Sequence, residues 1–346
     1  MDTAVVGINE TRVTSWMHEH VGAIAPLHFE LIAGGRSNLT FRVTDATGRS
    51  FALRRPPVSH VLPTAHDMIR EHTILSALAP LRVPVPHTLG LCEDESVNER
   101  PFYVMEFVEG TILRTREQAE ATYDLATRAN IGGHLAHTLA QLHDVNVNQA
   151  GLGNLARHDG YIERQLRRWR TQYEQMRVEG VDHGGLVEAV GDQLAGSIPV
   201  QQRVAVVHGD YRLDNTVLDD AGRVRAILDW EICTLGDPMA DVGLLLVYWA
   251  QPADPTAALL GSAPTTAPGF SSRERVLAAY AERSDLDVSH VAYYQAFGYW
   301  KLACILQGVF ARYSAGATAG DQGSVADFPT HIAMLAETAK LTLEQS

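Results

Sequence analysis

Apolar residues change their rhythm near residue 110. Before it they come in short runs: 28–33 and 39–43 flank the segment G-G-R-S-N and predict a hairpin, and S-F-A-L-R-R at 50–55 predicts a further strand. From 64 or 65 to 78, Met68, Leu75 and Leu78 recur on one face and predict a helix. After Pro84 and Pro86, residues 88–92 and 101–110 are extended again, the second run ending in an acid and a glycine, as a strand running out through a hinge would. Beyond Gly110 the apolar positions lie three and four apart over 116–144, 161–179, 186–194, 237–249, 271–283 and 288–313. Those lengths exceed a typical strand and predict helices. Residues 252–268, rich in Ala, Pro and Thr, predict a flexible loop, and 216–218 with 224–228 predict a second hairpin around Asp219-Asp220-Ala221-Gly222.

The candidate chemistry lies in V-V-H-G-D-Y-R-L-D-N at 206–215 and A-I-L-D-W-E at 226–231. Asp210 and Asn215 stand five positions apart, and Asp229 closes an apolar run fourteen residues later. In-line phosphoryl transfer needs an oxygen nucleophile in position and the charge of the transferred group neutralised. Asp210 suits orienting an acceptor hydroxyl and taking its proton, Asn215 offers an amide oxygen to Mg²⁺, and Asp229 offers a carboxylate bridging metal and nucleotide phosphates. Each piece alone is an ordinary turn former; the joint spacing points to an active site. Downstream, L-G-D-P-M-A-D-V-G sets Asp237 and Asp241 four apart at a helix start. Asp237 suits the N-cap, Pro238 the first helical position, and Asp241, followed by the apolar 242–249, an inward orientation.

This set resembles the aminoglycoside phosphotransferase family, kinase-like small-molecule phosphotransferases whose loop reads H-G-D where protein kinases have H-R-D. The likeness runs from about residue 31 to about 249. It implies an α+β, bilobal protein-kinase-like fold: a nucleotide-binding lobe at 1–109, with an antiparallel sheet and one main helix, and a larger, mainly helical lobe at 110–346 with the catalytic loop and acceptor site. By the same resemblance Gly34, Gly35, Ser37 and Asn38 cover the phosphates, the glycines letting the backbone approach closely. Arg54, following F-A-L, stands where kinases carry a lysine after V-A-I, with Arg55 the alternative. Glu71, in the following helix, is the implied ion-pair partner, and the backbone from Glu106 to Val108 meets the purine of ATP or GTP. His208 braces the loop, and Asp241 accepts hydrogen bonds from the loop backbone.

L-R-R-P-P, R-P-F-Y-V-M-E-F-V-E-G and D-W-E-I-C-T-L-G-D-P resemble the branch fused to acyl-CoA dehydrogenases, which acts on hydroxyacyl substrates. The implied activity is Mg²⁺-dependent transfer of a γ-phosphate to the hydroxyl of a small metabolite, a hydroxyacyl-CoA or hydroxy acid. Aminoglycoside inactivation is the alternative acceptor assignment. A catalytically weak nucleotide-binding module is the alternative of another class, and the arginine at 54 speaks for it. Arg164, Arg167 and Arg168 share one helical face. They either offer an anionic acceptor group, such as the phosphates of coenzyme A, a site, or form a solvated basic face balanced by Glu163 and Glu174. Asp237 follows Asp229 by only eight residues, which leaves little room for a peptide-docking segment.

Composition narrows this further. With 41 acids against 28 bases and a net charge of −13 over 346 residues, the chain lacks the basic surface of a nucleic-acid binder. Its longest apolar run, 242–250, is too short to span a bilayer, and 1–13 lacks a signal peptide's basic start and apolar core. Three cysteines far apart argue for a reducing compartment, and a cytoplasmic location is expected. The fifteen histidines follow no metal-ligand spacing; His134, His137 and His143 read as surface or packing residues.

Overall fold

The computed structural model describes residues 5–33, 38–58, 67–179, 181, 183–259, 263–315 and 327–345. The chain divides into two compact units, Met1–Thr111 with Arg225–Glu231, and Ile112–Val224 with Ile232–Ser346. The segment carrying Asp229 belongs to the first unit, where the Ile227 N–H donates to the Pro84 carbonyl at 2.8 Å.

The first unit holds α1 (Glu10–Val21), β1 (His28–Ala33), β2 (Leu39–Thr44), β3 (Ser50–Arg55), α2 (Met68–Leu78), β4 (Thr88–Cys92), the short α3 (Glu95–Asn98) and β5 (Phe102–Glu106). Its five strands form one sheet in the order β1-β2-β3-β5-β4, each neighbouring pair antiparallel. Strand alternation gives the sheet two different faces. Phe41, Val43, Phe51, Leu53, Phe102 and Val104 form one core with Val13, Trp16 and Met17 of α1. On the other face the register sets Thr40 opposite Arg54, and Arg54 opposite Tyr103. α2 packs over β4 and β5. It begins at Met68, capped by the Asp67 carboxylate accepting from the Arg70 N–H at 2.9 Å, and buries Met68, Leu75 and Leu78. The extended run predicted at 101–110 stops at Glu106.

The second unit is mainly helical. It contains α4 (Arg116–Thr122), α5 (Leu125–His143), α6 (Tyr161–Gln175), α7 (Leu186–Gly196), β6 (Ala205–Val207) and β7 (Thr216–Leu218), then, past β8 (Val224–Ile227), β9 (Thr234–Gly236), α8 (Met239–Tyr248), α9 (Arg273–Ala281), α10 (Val291–Ser314) and α11 (Phe328–Leu343). The helix expected over 116–144 is broken, because Tyr123 is extended and Asp124 caps a new helix by accepting from the Thr127 N–H at 2.7 Å. α8 starts one residue later than expected: Pro238 is its N-cap, and Asp237 caps from one position upstream, accepting from the Met239 N–H at 3.0 Å and the Tyr294 hydroxyl at 2.6 Å. The stretch at 252–268 is anchored rather than loose in its described part. Arg273 grips Asp254 at 3.0 and 2.5 Å, and the Thr265 hydroxyl donates to the Ala250 carbonyl. α10 is the spine, packed against α6, α7, α8 and α11. Where α8 meets α10, a Cβ on Gly243 would lie 2.4 Å from the Tyr294 backbone, so only glycine permits that approach.

Candidate active site

In the first unit Arg54, Glu71 and Tyr103 gather on the sheet face under α2. Arg54 is 9 % exposed, and its Nε donates to Glu71 Oε2 at 2.9 Å. Its Nη1 reaches the Thr40 hydroxyl at 3.3 Å and its Nη2 the Asp229 carboxylate at 2.5 Å, with Glu231 at 3.8 Å. Glu71 also accepts from the Tyr103 hydroxyl at 3.0 Å and from Asn38 Nδ2 at 2.8 Å, and Asn38 bridges on to Glu231 at 3.3 Å. Arg55, one residue on, faces the opposite side of the sheet and donates to the carbonyls of Gly7 and Pro56. Alternation thus separates the two arginines: Arg54 meets the carboxylates and Arg55 does not.

Three carboxylates around one guanidinium leave a surplus of negative charge. Burial pushes the Glu71 carboxyl up to about 6, against the pull of Arg54, and Asp229 and Glu231 add to the rise. For Arg54 burial opposes the charge, but Glu71, Tyr103, Asp229 and Glu231 outweigh it and raise its pKa further. Asp229 sits at φ 63°, in the left-handed region that a short polar side chain tolerates better than most, and a third of its side chain is exposed.

Other predicted residues of this unit are placed less tightly. The Glu106 N–H already donates to the His87 carbonyl at 2.8 Å, so it has no proton to spare for a ligand. Val108 lies just beyond the sheet and is half-buried. Gly34, Gly35 and Ser37 lie outside the described residues.

In the second unit, paired β6 and β9 deliver the loop His208-Gly209-Asp210. Almost every polar group of its backbone is engaged. Asp241, fully buried on α8, accepts from the His208 N–H at 2.6 Å and the Gly209 N–H at 2.8 Å. Lys301 Nζ on α10 donates to the Gly209 carbonyl at 3.1 Å. The Asp210 N–H donates to His208 Nδ1 at 3.3 Å, which puts the proton of a neutral ring on Nε2. Asn215 Nδ2 donates to both the Asp210 carbonyl, at 2.9 Å, and its carboxylate, at 2.8 Å. Gly209 has φ 84°, and a Cβ there would press on Ile232 at 3.1–3.3 Å.

Electrostatics follow from this burial. Burial works to raise the Asp241 carboxyl, but His143, His208 and the Gly209 N–H outweigh it and hold it below the usual carboxylate range. Burial lowers Lys301, while Asp210 and Asp241 resist that fall. Asp214 is raised by burial despite Arg212 at 3.0 Å. Arg212 also lies 3.3 Å from the Asp210 carboxylate and covers the Tyr248 ring at 4.6 Å.

Sequence reasoning missed several of these groups. Lys301 lies 92 residues from Gly209 in a mainly aromatic and apolar helix, and no local spacing marks it. His143, read as a surface or packing residue, is buried between Asp241, at 3.4 Å, and the Tyr280 hydroxyl, at 2.8 Å. Thr40 and Tyr103 join Arg54 through sheet register, and Glu231 was visible in D-W-E but had no assigned role. Of the basic face on α6, Arg164 is turned back on the carbonyls of Asp159 and Arg157, whereas Arg167 and Arg168 are exposed. Among the described residues no group of three His, Cys, Asp or Glu side chains could hold a metal ion, and no helix is long and apolar enough to cross a membrane.

An antiparallel sheet with one helix over an Arg–Glu pair, together with a helical unit bearing H-G-D-x-x-x-x-N, is the kinase-like fold of small-molecule phosphotransferases. The chain belongs to the phosphotransferase enzyme family (APH), whose model matches residues 28–272. It is 33 % identical over 306 residues to mouse acyl-CoA dehydrogenase family member 10 and 30 % identical over 311 residues to rat acyl-CoA dehydrogenase family member 11. These alignments cover 86 and 87 % of this chain but only 28 and 39 % of those relatives' own length. A Ralstonia eutropha structure assigned by name to the aminoglycoside phosphotransferases superposes with a TM-score of 0.79 at 30 % identity, covering 97 % of this chain and 98 % of its own.

Proposed function

We propose that this small-molecule phosphotransferase moves the γ-phosphate of ATP or GTP, with Mg²⁺, to a hydroxyl of a hydroxyacyl-CoA or hydroxy acid. The observation that carries the reading is the immobilised loop around Asp210. Its backbone is held by Asp241, Lys301, His208 and Asn215, while 26 % of the Asp210 side chain stays exposed to receive a proton. A general base held in place before substrate arrives lowers the cost of reaching the reactive geometry.

In this reading the acceptor oxygen bonds to the γ-phosphorus as the bond from that phosphorus to the β–γ bridging oxygen breaks, and the hydroxyl proton passes to Asp210. His208 and Asp241 position the loop. Arg54, braced by Glu71, binds the nucleotide phosphates; Asn38 joins the glycines of 34–35 and Ser37 in covering them, and the carbonyl side of Glu106 to Val108 meets the base. Each unit carries a hard oxygen donor of the kind that suits Mg²⁺, the Asp229 carboxylate in the first and the Asn215 amide in the second. A bound ion would neutralise phosphate charge. The first unit would thus serve the nucleotide and the second the acceptor, with Arg167 and Arg168 available to an anionic acceptor group.

The names of the mouse and rat relatives support an acyl-type acceptor, and the name of the Ralstonia protein supports an aminoglycoside as the second reading. The test is Mg²⁺-dependent γ-phosphate transfer from ATP and GTP to hydroxyacyl-CoAs, hydroxy acids, aminoglycosides and amino alcohols. Transfer to an acyl class that disappears in Asp210→Asn is the expected result; transfer to aminoglycosides alone would move the assignment to the second reading.

A further inference from the structure

A cavity of about 240 Å³ opens within the second unit beside the catalytic loop. At about 30 Å³ of liquid volume per water, it has room for roughly eight waters or a medium-length acyl chain. Its floor is apolar, made by Leu113, Leu213, Leu245 and Trp249, all nearly or fully buried. Its charged lining is Arg114, Arg212 and Asp214, two guanidiniums against one carboxylate. Arg212 connects the cavity to the chemistry, since the same guanidinium group touches Asp214 at 3.0 Å and Asp210 at 3.3 Å.

We propose that this cavity is the acceptor subsite and that it selects an alcohol with an apolar body and a neutral or anionic head, with Arg114 reading the head and Arg212 positioning Asp210 beside the hydroxyl. The proposal rests on the phosphotransfer reading and adds the acceptor's charge and shape to it. A polycation would bring amines against Arg114 and lay polar groups on an aliphatic and indole floor, both of which cost binding energy. An apolar chain displaces water from that floor instead, and a carboxylate gains charge-assisted hydrogen bonds from guanidinium.

The test is calorimetric binding to the full chain without nucleotide, so that no turnover intervenes, using 3-hydroxyoctanoate and 1-amino-2-octanol as matched probes. The hydroxy acid is expected to bind at least tenfold tighter. Arg114→Glu, an exposed change that leaves the core untouched, should erase that preference, and Leu245→Phe, which fills the floor, should weaken both probes about tenfold. Equal or reversed preference in the unaltered chain, no binding of either probe, or two variants within twofold of it would overturn the subsite. Transfer assays separate the two claims. The stated selectivity in binding, with no phosphate transfer to any acceptor, would sink the phosphotransfer reading; transfer that ignores Arg114 and Leu245 would sink the subsite alone.

Discussion

The two units solve different electrostatic problems. In the first, a single buried guanidinium is surrounded by Glu71, Asp229 and Glu231, and the arrangement is an ion network with excess acid. In the second, the charges of Asp241 and Lys301 are spent on the backbone, one holding two N–H groups and the other a carbonyl of the same glycine. On the proposed reading, the first arrangement exchanges partners when a phosphate arrives. The second fixes the backbone of the loop. On the proposed reading, reagent charge and reagent position are handled by separate groups.

If that contrast is right, the largest stability loss comes from Asp241→Ala. It strands the His208 and Gly209 N–H groups and His143 in a buried place and should cost about 3–5 kcal/mol, read as a lowered midpoint in urea. Loss below 1 kcal/mol would mean that the loop is held by something else. Because the Asp241 carboxyl is depressed in the folded chain, its contribution is present above the unfolded-state pKa and fades as pH falls through the folded one.

Lys301→Met removes a charge and a hydrogen bond but keeps the stem, so the fold should hold while kcat falls on the order of tenfold to a hundredfold with nucleotide affinity unchanged. A parallel loss of nucleotide affinity would place Lys301 in the wrong arrangement.

The smallest effect belongs to Glu71, and its sign is opposite to that of Asp241. Its carboxyl is raised from 4.5 to about 6, so between those values the folded state binds more proton than the unfolded state. Stability should fall by about 2 kcal/mol as pH rises through that window. Glu71→Gln should lack this step; an unchanged profile would show that the burial of Glu71 has no titration consequence.

Legibility differed between the same two regions. The strands at 28–33 and 50–55 could be read to the residue, since short apolar runs bounded by turn formers leave few alternatives. The loop from His208 to Asn215 stood out as a candidate because its polar residues are compressed into eight positions. Tyr103 and Thr40 were not, because a cross-strand row exists only once the order β1-β2-β3-β5-β4 is known. Lys301 and His143 were hidden for a related reason: each sits in a helix whose own pattern is satisfied without it. The break at Asp124 could have been seen, as an aspartate before a fresh apolar period is an N-cap signal. α1 and α11 were not read at all.

The most direct measurement puts the two arrangements side by side: Mg²⁺-dependent nucleotide affinity and γ-phosphate transfer in Asp210→Asn and in Asp229→Ala. Asp210→Asn should keep nucleotide affinity within about twofold and lose transfer by a factor of roughly 10² or more, whereas Asp229→Ala should lose the Mg²⁺-dependent part of binding itself. Near-full transfer in Asp210→Asn, or unchanged Mg²⁺-dependent affinity in Asp229→Ala, would contradict the division of labour between the units.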